Sequence, residues 1–141
     1  MELKLLTEGR SFTLYSIQGG DTVDEFLGEL ERADHSEFAK VMRRLECLAQ
    51  HGSTRRQNEF NTLGNSLFEA KSSGGARVIF FYDKGHIVIC ACGFRKKSQK
   101  TPARVLETAR ARKDAYFAAK NGGGLKIITE GANEQPRRRP S

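Results

Sequence analysis

Apolar residues first alternate and then change to a helical spacing in the first third of the chain. Residues Ser11–Ile17 alternate, which predicts a strand with both faces partly covered. Gly19 and Gly20 end this strand, and Asp21 is a suitable N-cap for a helix. Four apolar residues then recur with the spacing of one helical stripe. They are Val23, Phe26, Leu27 and Leu30.

A second helix is predicted almost immediately afterwards. It begins near Ser36 and ends at Gly52, a residue type that is common just after a helix. Its apolar face consists of Phe38, Val41, Met42, Leu45 and Leu48. Because only a few residues separate the two helices, we expect an antiparallel helical hairpin. Residues 53–65 are polar and predict an irregular segment.

The second half of the chain predicts three strands and a helix. The strands are Leu67–Lys71, Arg77–Tyr82 and Ile87–Phe94. Short turns rich in Gly, Ser and Asp separate them, which favours an antiparallel meander. The third strand is apolar on both faces, which is typical of the centre of a sheet. Thr101 as N-cap and Pro102 as first residue begin the last helix, and Leu125–Thr129 is long enough for a further short strand.

The order of the main elements is therefore β-α-α-β-β-β-α. This order predicts the α+β class: an antiparallel sheet, an N-terminal helical hairpin and a C-terminal helix, with the helices against one face of the sheet. Residues 1–120 form the predicted domain. Residues 121–141 combine three consecutive glycines, Gly122–Gly124, with the Arg137–Arg139 run, which predicts a Gly-rich linker and a basic, disordered tail.

The cysteines and the hydropathy pattern indicate a cytoplasmic protein. No apolar run is long enough to cross a bilayer, and no secretory signal is recognisable. Cys47, Cys90 and Cys92 have no second Cys/His cluster beside them, which favours buried free thiols over a zinc site. Cys90 and Cys92 are two residues apart and are expected to face the same side of a strand. We expect no metal, no cofactor and no membrane contact.

The charge is distributed unevenly along the chain. Residues 1–66 hold 8 Lys/Arg against 11 Asp/Glu, a net charge of −3, whereas residues 67–141 hold 16 against 6, a net charge of +10. Such a basic half indicates a polyanionic partner, either nucleic acid or an acidic protein that masks the same surface. A generally soluble basic surface is the alternative.

The basic residues near the strand ends suggest chemistry on RNA. Lys71 and Arg77 flank one turn and can project from the same end of the sheet. An arginine fork matches the charge that grows on a phosphate when the neighbouring 2′-hydroxyl attacks it, and a lysine among other cations can transfer the proton. The candidate catalytic residues are Lys71, Arg77 and Lys96, and the candidate RNA-binding residues are Arg95, Lys97, Lys100 and Arg104. The alternatives are that the run of cations is only a solvated or phosphate-binding strip and that Arg77 pairs with Glu69.

Several segments resemble the phage-derived, HigB-like branch of the RelE/ParE toxin superfamily. The most specific is the Gly93–Pro102 stretch, in which Phe-x-Lys-Lys-x-Gln-Lys-Thr-Pro is typical of that branch. Leu67–Lys71 and Arg77–Tyr82 are similar to two further motifs, and Ala109, Arg110 and Arg112 stand where a final Ala-x-x-Arg motif is expected. The resemblance extends from about Phe12 to Phe117.

The resemblance implies a RelE-like fold and the toxin of a type II toxin–antitoxin system. It implies a metal-independent RNA interferase that cuts mRNA on the ribosome, with basic residues of the sheet carrying the chemistry. It also implies a cognate antitoxin, often with a helix-turn-helix domain, so that DNA is contacted only through the antitoxin. This chain lacks the tyrosine or C-terminal histidine that some members use, and Tyr116 belongs to an apolar stripe. A ParE-type toxin without enzymatic activity and an RNA-binding or decayed phage-derived relative are the alternatives.

Overall fold

Ten elements of secondary structure make up the described parts of the chain. The computed structural model describes residues 1–53, 59–96 and 101–128. The strands are β1 (Glu2–Glu8), β2 (Thr13–Ile17), β3 (Phe60–Gly64), β4 (Leu67–Lys71), β5 (Ala76–Asp83), β6 (Ile87–Arg95) and β7 (Lys126–Ile128). The helices are α1 (Val23–Ala33) and α2 (His35–His51), which lie between β2 and β3, and α3 (Ala103–Asn121), which lies between β6 and β7.

The seven strands form one sheet in the order β3-β4-β5-β6-β2-β1-β7. Four of the neighbouring pairs are antiparallel, including the predicted β4-β5-β6 meander. The β2–β6 and β1–β7 pairs are parallel. The chain is therefore a mixed α+β protein, as predicted, and β6 lies at the centre of its sheet.

The order of elements differs from the predicted one at three strands. The predicted first strand is β2; β1 precedes it, and β3 replaces part of the irregular segment expected over residues 53–65. β7 occupies three residues of the stretch that was long enough for a short strand. β3 is an edge strand with mostly exposed residues, so its sequence looks like that of a loop.

Helices cover both faces of the sheet, so the prediction that they share one face was wrong. One core lies between the α1–α2 pair and the sheet and contains Val41, Leu45 and Phe80. A second core lies between α3 and the opposite face and contains Ala109, Tyr116 and Phe81. Consecutive residues of β5 are fully buried because each face has its own helical layer.

Cys90 and Cys92 contribute to different cores, contrary to the expectation that they face the same side. Cys90 packs in the α1–α2 core and Cys92 in the α3 core. The β5–β6 register shifts at this point, because Ile79 is opposite Cys92 while its neighbour Phe80 is opposite Cys90. The extra residue in β6 is a β-bulge, which breaks the alternation. Burial raises the pKa of Cys90 to about 12.

The helix ends follow local hydrogen bonds that differ from two of the expectations. Thr22, rather than Asp21, caps α1 in a reciprocal capping box with Glu25. α3 begins at Ala103 after Pro102, and no side chain of the described residues caps its N-terminus. Thr101 therefore does not cap α3, and its hydroxyl has a different partner described below. None of the helices in the described ranges is long and apolar enough to cross a membrane.

Candidate functional site

Lys71 and Arg77 are direct partners across the β4–β5 hairpin. Directly opposite residues in an antiparallel pair project to the same face of the sheet. The next pair along this face includes Ile79, which packs in the core under α3. Both cations therefore lie at one end of the sheet, as predicted, and on its α3 face. Phe94 of the neighbouring strand β6 is directly opposite Arg77.

The guanidinium of Arg77 is fixed by backbone carbonyls of the β4–β5 turn. Nη1 donates to the Ser72 carbonyl at 2.8 Å and to the Ala76 carbonyl at 3.0 Å. Nε is buried and has no partner among the residues that the structure describes. Because Nη1 is hydrogen-bonded to the turn, the orientation of the Arg77 guanidinium is fixed before a ligand binds.

Glu69 does not form an ion pair with Arg77, although the sequence left that pairing open as the alternative to a role on RNA. Its side chain is fully buried on the same face, and Oε2 accepts a hydrogen bond from the hydroxyl of Thr101 at 2.8 Å. Oε1 has no partner within the described ranges. Glu69 therefore ties Thr101, two residues before α3, to the sheet, and its carboxylate does not compensate the charge of Arg77.

A buried carboxylate beneath the turn positions it from the opposite face. Glu37 of α2 accepts hydrogen bonds from the Ser72 hydroxyl and, at 2.8 Å, from the backbone N–H of Ala76. The turn residue Gly74 leaves the space for this carboxylate, because a Cβ at Gly74 would lie 2.6 Å from Glu37 Cδ. The turn that holds Arg77 is thus fixed to α2.

Arg95 lies on the face opposite Arg77 and is already engaged. It is the partner of Ala76, whose side chain belongs to the α1–α2 core. Nη2 of Arg95 donates to Asp34 at 2.8 Å, and Nε donates to the Gly74 carbonyl at 3.3 Å. The hydrogen bond from Arg95 lowers the pKa of Asp34. The structure therefore separates this candidate RNA ligand from Lys71 and Arg77.

Two of the four remaining candidates, Lys96 and Arg104, lie near the same end of the sheet. The backbone N–H of Lys96 donates to the Gly75 carbonyl at 2.7 Å, which places Lys96 beside the turn. Arg104 is exposed on the first turn of α3. Lys97 and Lys100 lie outside the described residues. Lys71, Arg77 and Lys96 are thus brought to one end of the sheet, and Arg104 lines a neighbouring cleft.

Two residues that organise this region were not recognised in the sequence. Glu37 could have been found from its spacing, because it occupies the position four residues before Val41 on the buried stripe of α2. Arg112 was noted in the sequence only as part of a family motif, without a structural role. In the structure its guanidinium donates to three backbone carbonyls, those of Ala91 at 2.6 Å, Gly20 at 2.9 Å and Asp21 at 3.2 Å. No spacing rule predicts such a contact to carbonyls.

The fold and the site define a basic α+β protein with paired cations at one end of its sheet. The chain belongs to the family described as Phage derived protein Gp49-like (DUF891), which matches residues 28–114. This RelE-like family is associated with toxin–antitoxin systems. No curated protein matches the chain. The matched range includes both strands of the Lys71–Arg77 pair and most of α3.

Proposed function

We propose that this protein is the toxin of a type II toxin–antitoxin system and acts as a ribosome-dependent mRNA endonuclease of the HigB-like kind. The observation that carries the proposal is the Lys71–Arg77 pair, which puts two cations on the α3 face at one end of the sheet. Membership of a toxin–antitoxin-associated family supports it. The proposal places the protein in the cytoplasm with mRNA, the ribosome and a cognate antitoxin of the helix-turn-helix type as partners.

The proposed reaction is attack of an RNA 2′-oxygen on the adjacent phosphorus. The P–O5′ bond breaks, and the products are a 2′,3′-cyclic phosphate and a 5′-hydroxyl. Arg77 neutralises the charge that develops on the non-bridging oxygens, a role for which its fixed orientation is suited. Of the two lysines, Lys71 and Lys96, one accepts the proton of the 2′-hydroxyl and the other protonates the departing 5′-oxygen.

Replacing Arg77 tests this function directly. We expect expression of the chain in growing bacteria to arrest growth and to produce cuts within translated codons, seen by primer extension on a reporter mRNA. Arg77→Ala should reduce cutting by about a hundredfold or more, because it removes the group that stabilises the transition state. Lys84→Ala is the matched control, since Lys84 is an exposed cation in the turn at the other end of β5.

The outcomes separate the alternatives. A folded Arg77→Ala variant that cuts as well as the wild type would remove Arg77 from the mechanism. Growth arrest with intact mRNA would favour a ParE-type toxin that acts by binding a protein. Good expression without arrest would favour an inactive phage-derived relative. Restored growth on co-expression of the neighbouring gene's product would identify the antitoxin.

A further inference from the structure

A cleft of about 380 Å³ lies between α1 and α3, next to the cationic end of the sheet. It exists because β2 pairs with β6 only as far as Cys90. Beyond that residue β6 continues to Arg95, and in the described part of the chain no strand pairs with this side of it. α1 and α3 come together around the uncovered edge and form the walls of the cleft.

The walls combine opposite charges with an aromatic floor. Glu25 and Glu29 line the cleft from α1, and both are exposed; Arg104 lines it from α3. Phe26 and Phe94 are the aromatic residues of the lining, and Val105 adds to its apolar part. A flat ligand with polar edges is suited to such a lining, because its faces can contact the rings while its edges reach the charged groups.

The shape of the cleft is fixed by two close contacts. The ring of Phe26 lies directly over Gly93, where an added Cβ would be 2.6 Å from the ring atom Cδ2. Arg112 closes the back of the cleft, because its guanidinium bonds the Ala91 carbonyl of β6 and the carbonyls of Gly20 and Asp21 before α1. The cleft is therefore preformed, which limits the entropy lost on binding.

We infer that this cleft binds one nucleobase of the RNA strand, next to the nucleotide whose phosphate is held by Arg77. The inference rests on the proposed function. Phe94 lines the cleft and is the direct β6 partner of Arg77, and neighbouring strands are about 4.8 Å apart. The cleft thus begins one strand away from the phosphate clamp, within reach of an adjacent nucleotide.

The carboxylates determine which bases the cleft accepts. Glu29 provides hydrogen-bond acceptors only, so it pairs with the exocyclic amino groups of adenine, cytosine and guanine. Uracil has a carbonyl oxygen in place of the cytosine amino group. The one donor on that edge, N3–H, lies between two carbonyl oxygens that repel the carboxylate, so the hydrogen bond of Glu29 to uracil is weaker. Arg104 at the rim attracts the phosphate of the bound nucleotide. The volume lies near the lower end of the range of about 300–1,000 Å³ for ligand pockets, which suits one base and excludes a helix.

The test is binding of single nucleotides to the purified full chain, followed through backbone amide NMR signals. We expect AMP, CMP and GMP to shift the signals of Gly93 and Phe94 at concentrations about tenfold lower than UMP does. Glu29→Gln should remove most of this preference, because an amide side chain offers both a donor and an acceptor. Glu31→Gln, an equal change at an exposed residue of α1 outside the cleft lining, should keep it.

The result decides the inference independently of nuclease activity. Equal shifts with all four nucleotides and with inorganic phosphate would reduce the cleft to an anion site at Arg104 and overturn the inference. Absence of shifts at Gly93 and Phe94, or an unchanged preference in Glu29→Gln, would overturn it as well. Cleavage lost in Arg77→Ala together with no nucleotide binding in the cleft would leave the proposed function standing without this specificity site.

Discussion

At the scale of single residues, the hydrogen bonds that α3 makes to Asp83 have a structural role. The Tyr116 hydroxyl donates to Asp83 at 2.6 Å, and Lys120 donates to both oxygens of the same carboxylate. Burial, together with the Asp83 carboxylate, raises the pKa of Tyr116. Tyr116 is thus a core residue that joins α3 to the end of β5. Because that end is opposite to the one that carries Arg77, Tyr116 is not placed to act on RNA.

Asp83 should make stability depend on pH in the acid range. Burial opposes its ionisation, but the hydrogen bonds from Lys120 and Tyr116 outweigh that effect and lower the pKa of Asp83 below its ordinary 3.8. The stabilisation is complete above about pH 5 and is lost as the pH falls through the folded-state pKa. Asp83→Asn should lower the free energy of unfolding by about 1–2 kcal/mol at pH 7 and weaken its acid dependence.

Urea denaturation at a series of pH values measures this effect. Asp114→Asn is the control, because Asp114 is an exposed carboxylate on α3, the helix that Asp83 binds through Tyr116 and Lys120. An Asp83→Asn variant with the wild-type pH profile would show that Asp83 does not contribute through its charge.

At the scale of elements, the β4–β5 turn depends on the helix beneath it. The turn is hydrogen-bonded on both faces of the sheet. On one face the Ser72 hydroxyl and the Ala76 N–H donate to Glu37, and on the other Arg77 donates to the carbonyls of the same two residues. Arg95 adds a third contact at Gly74. The orientation of the candidate catalytic arginine is therefore a property of α2 and the turn together.

Gly74→Ala should destabilise the protein by about 2–4 kcal/mol, because the added Cβ overlaps the buried Glu37 carboxylate and forces it away from its donors. Gly74 has no left-handed backbone conformation, so alanine suffers no backbone penalty there. Ser73→Ala, at the exposed neighbouring residue, should be nearly neutral. Thermal and urea unfolding compare the two variants, and similar stabilities would show that Glu37 can move without loss.

The pattern of apolar residues predicted the elements that are buried and missed those that lie at edges. The helical hairpin and β4 to β6 were predicted because each buries a regular set of side chains. β1 was missed because its register shifts after Leu5, whose side chain is 47% exposed, so the alternation is interrupted. The Lys71–Arg77 pair followed from a short turn between two strands, whereas the bond of Arg95 to Asp34 joins residues 61 positions apart and leaves no local pattern in the sequence.

At the scale of the whole molecule, the α1–α2 and α3 layers each pack on one face of the sheet. They are also connected directly, at the edge of β6. Arg112 of α3 reaches past Ala91 to the loop between β2 and α1, and so connects the two helical layers. This contact also shapes the back of the cleft. Loss of one side chain is therefore expected to loosen both layers at once.

Arg112→Met should lower the free energy of unfolding by about 2–3 kcal/mol, since three carbonyls lose a charged donor while the apolar stem is retained. Arg110→Met removes the same charge at an exposed position on α3 and should change stability by less than about 0.5 kcal/mol. Urea denaturation gives both values. Hydrogen exchange should in addition become faster in α1 of the Arg112→Met variant, and equal effects of the two substitutions would contradict the bridging role.

The parallel pairing of β2 with β6 also has a consequence for the order of assembly during synthesis. Thr13 of β2 is opposite Ile87 of β6, so this pair closes a long stretch of chain, and contacts of that kind form slowly. An isolated hairpin such as β4–β5 closes in about 1–10 μs, whereas translation adds about 5–20 residues per second. The hairpin that carries Lys71 and Arg77 can thus be in place while α3 is still unmade. The cleft, which needs α1, β6 and α3 together, is expected to be completed last, so the nascent chain acquires its cationic pair before it acquires any means of choosing a base.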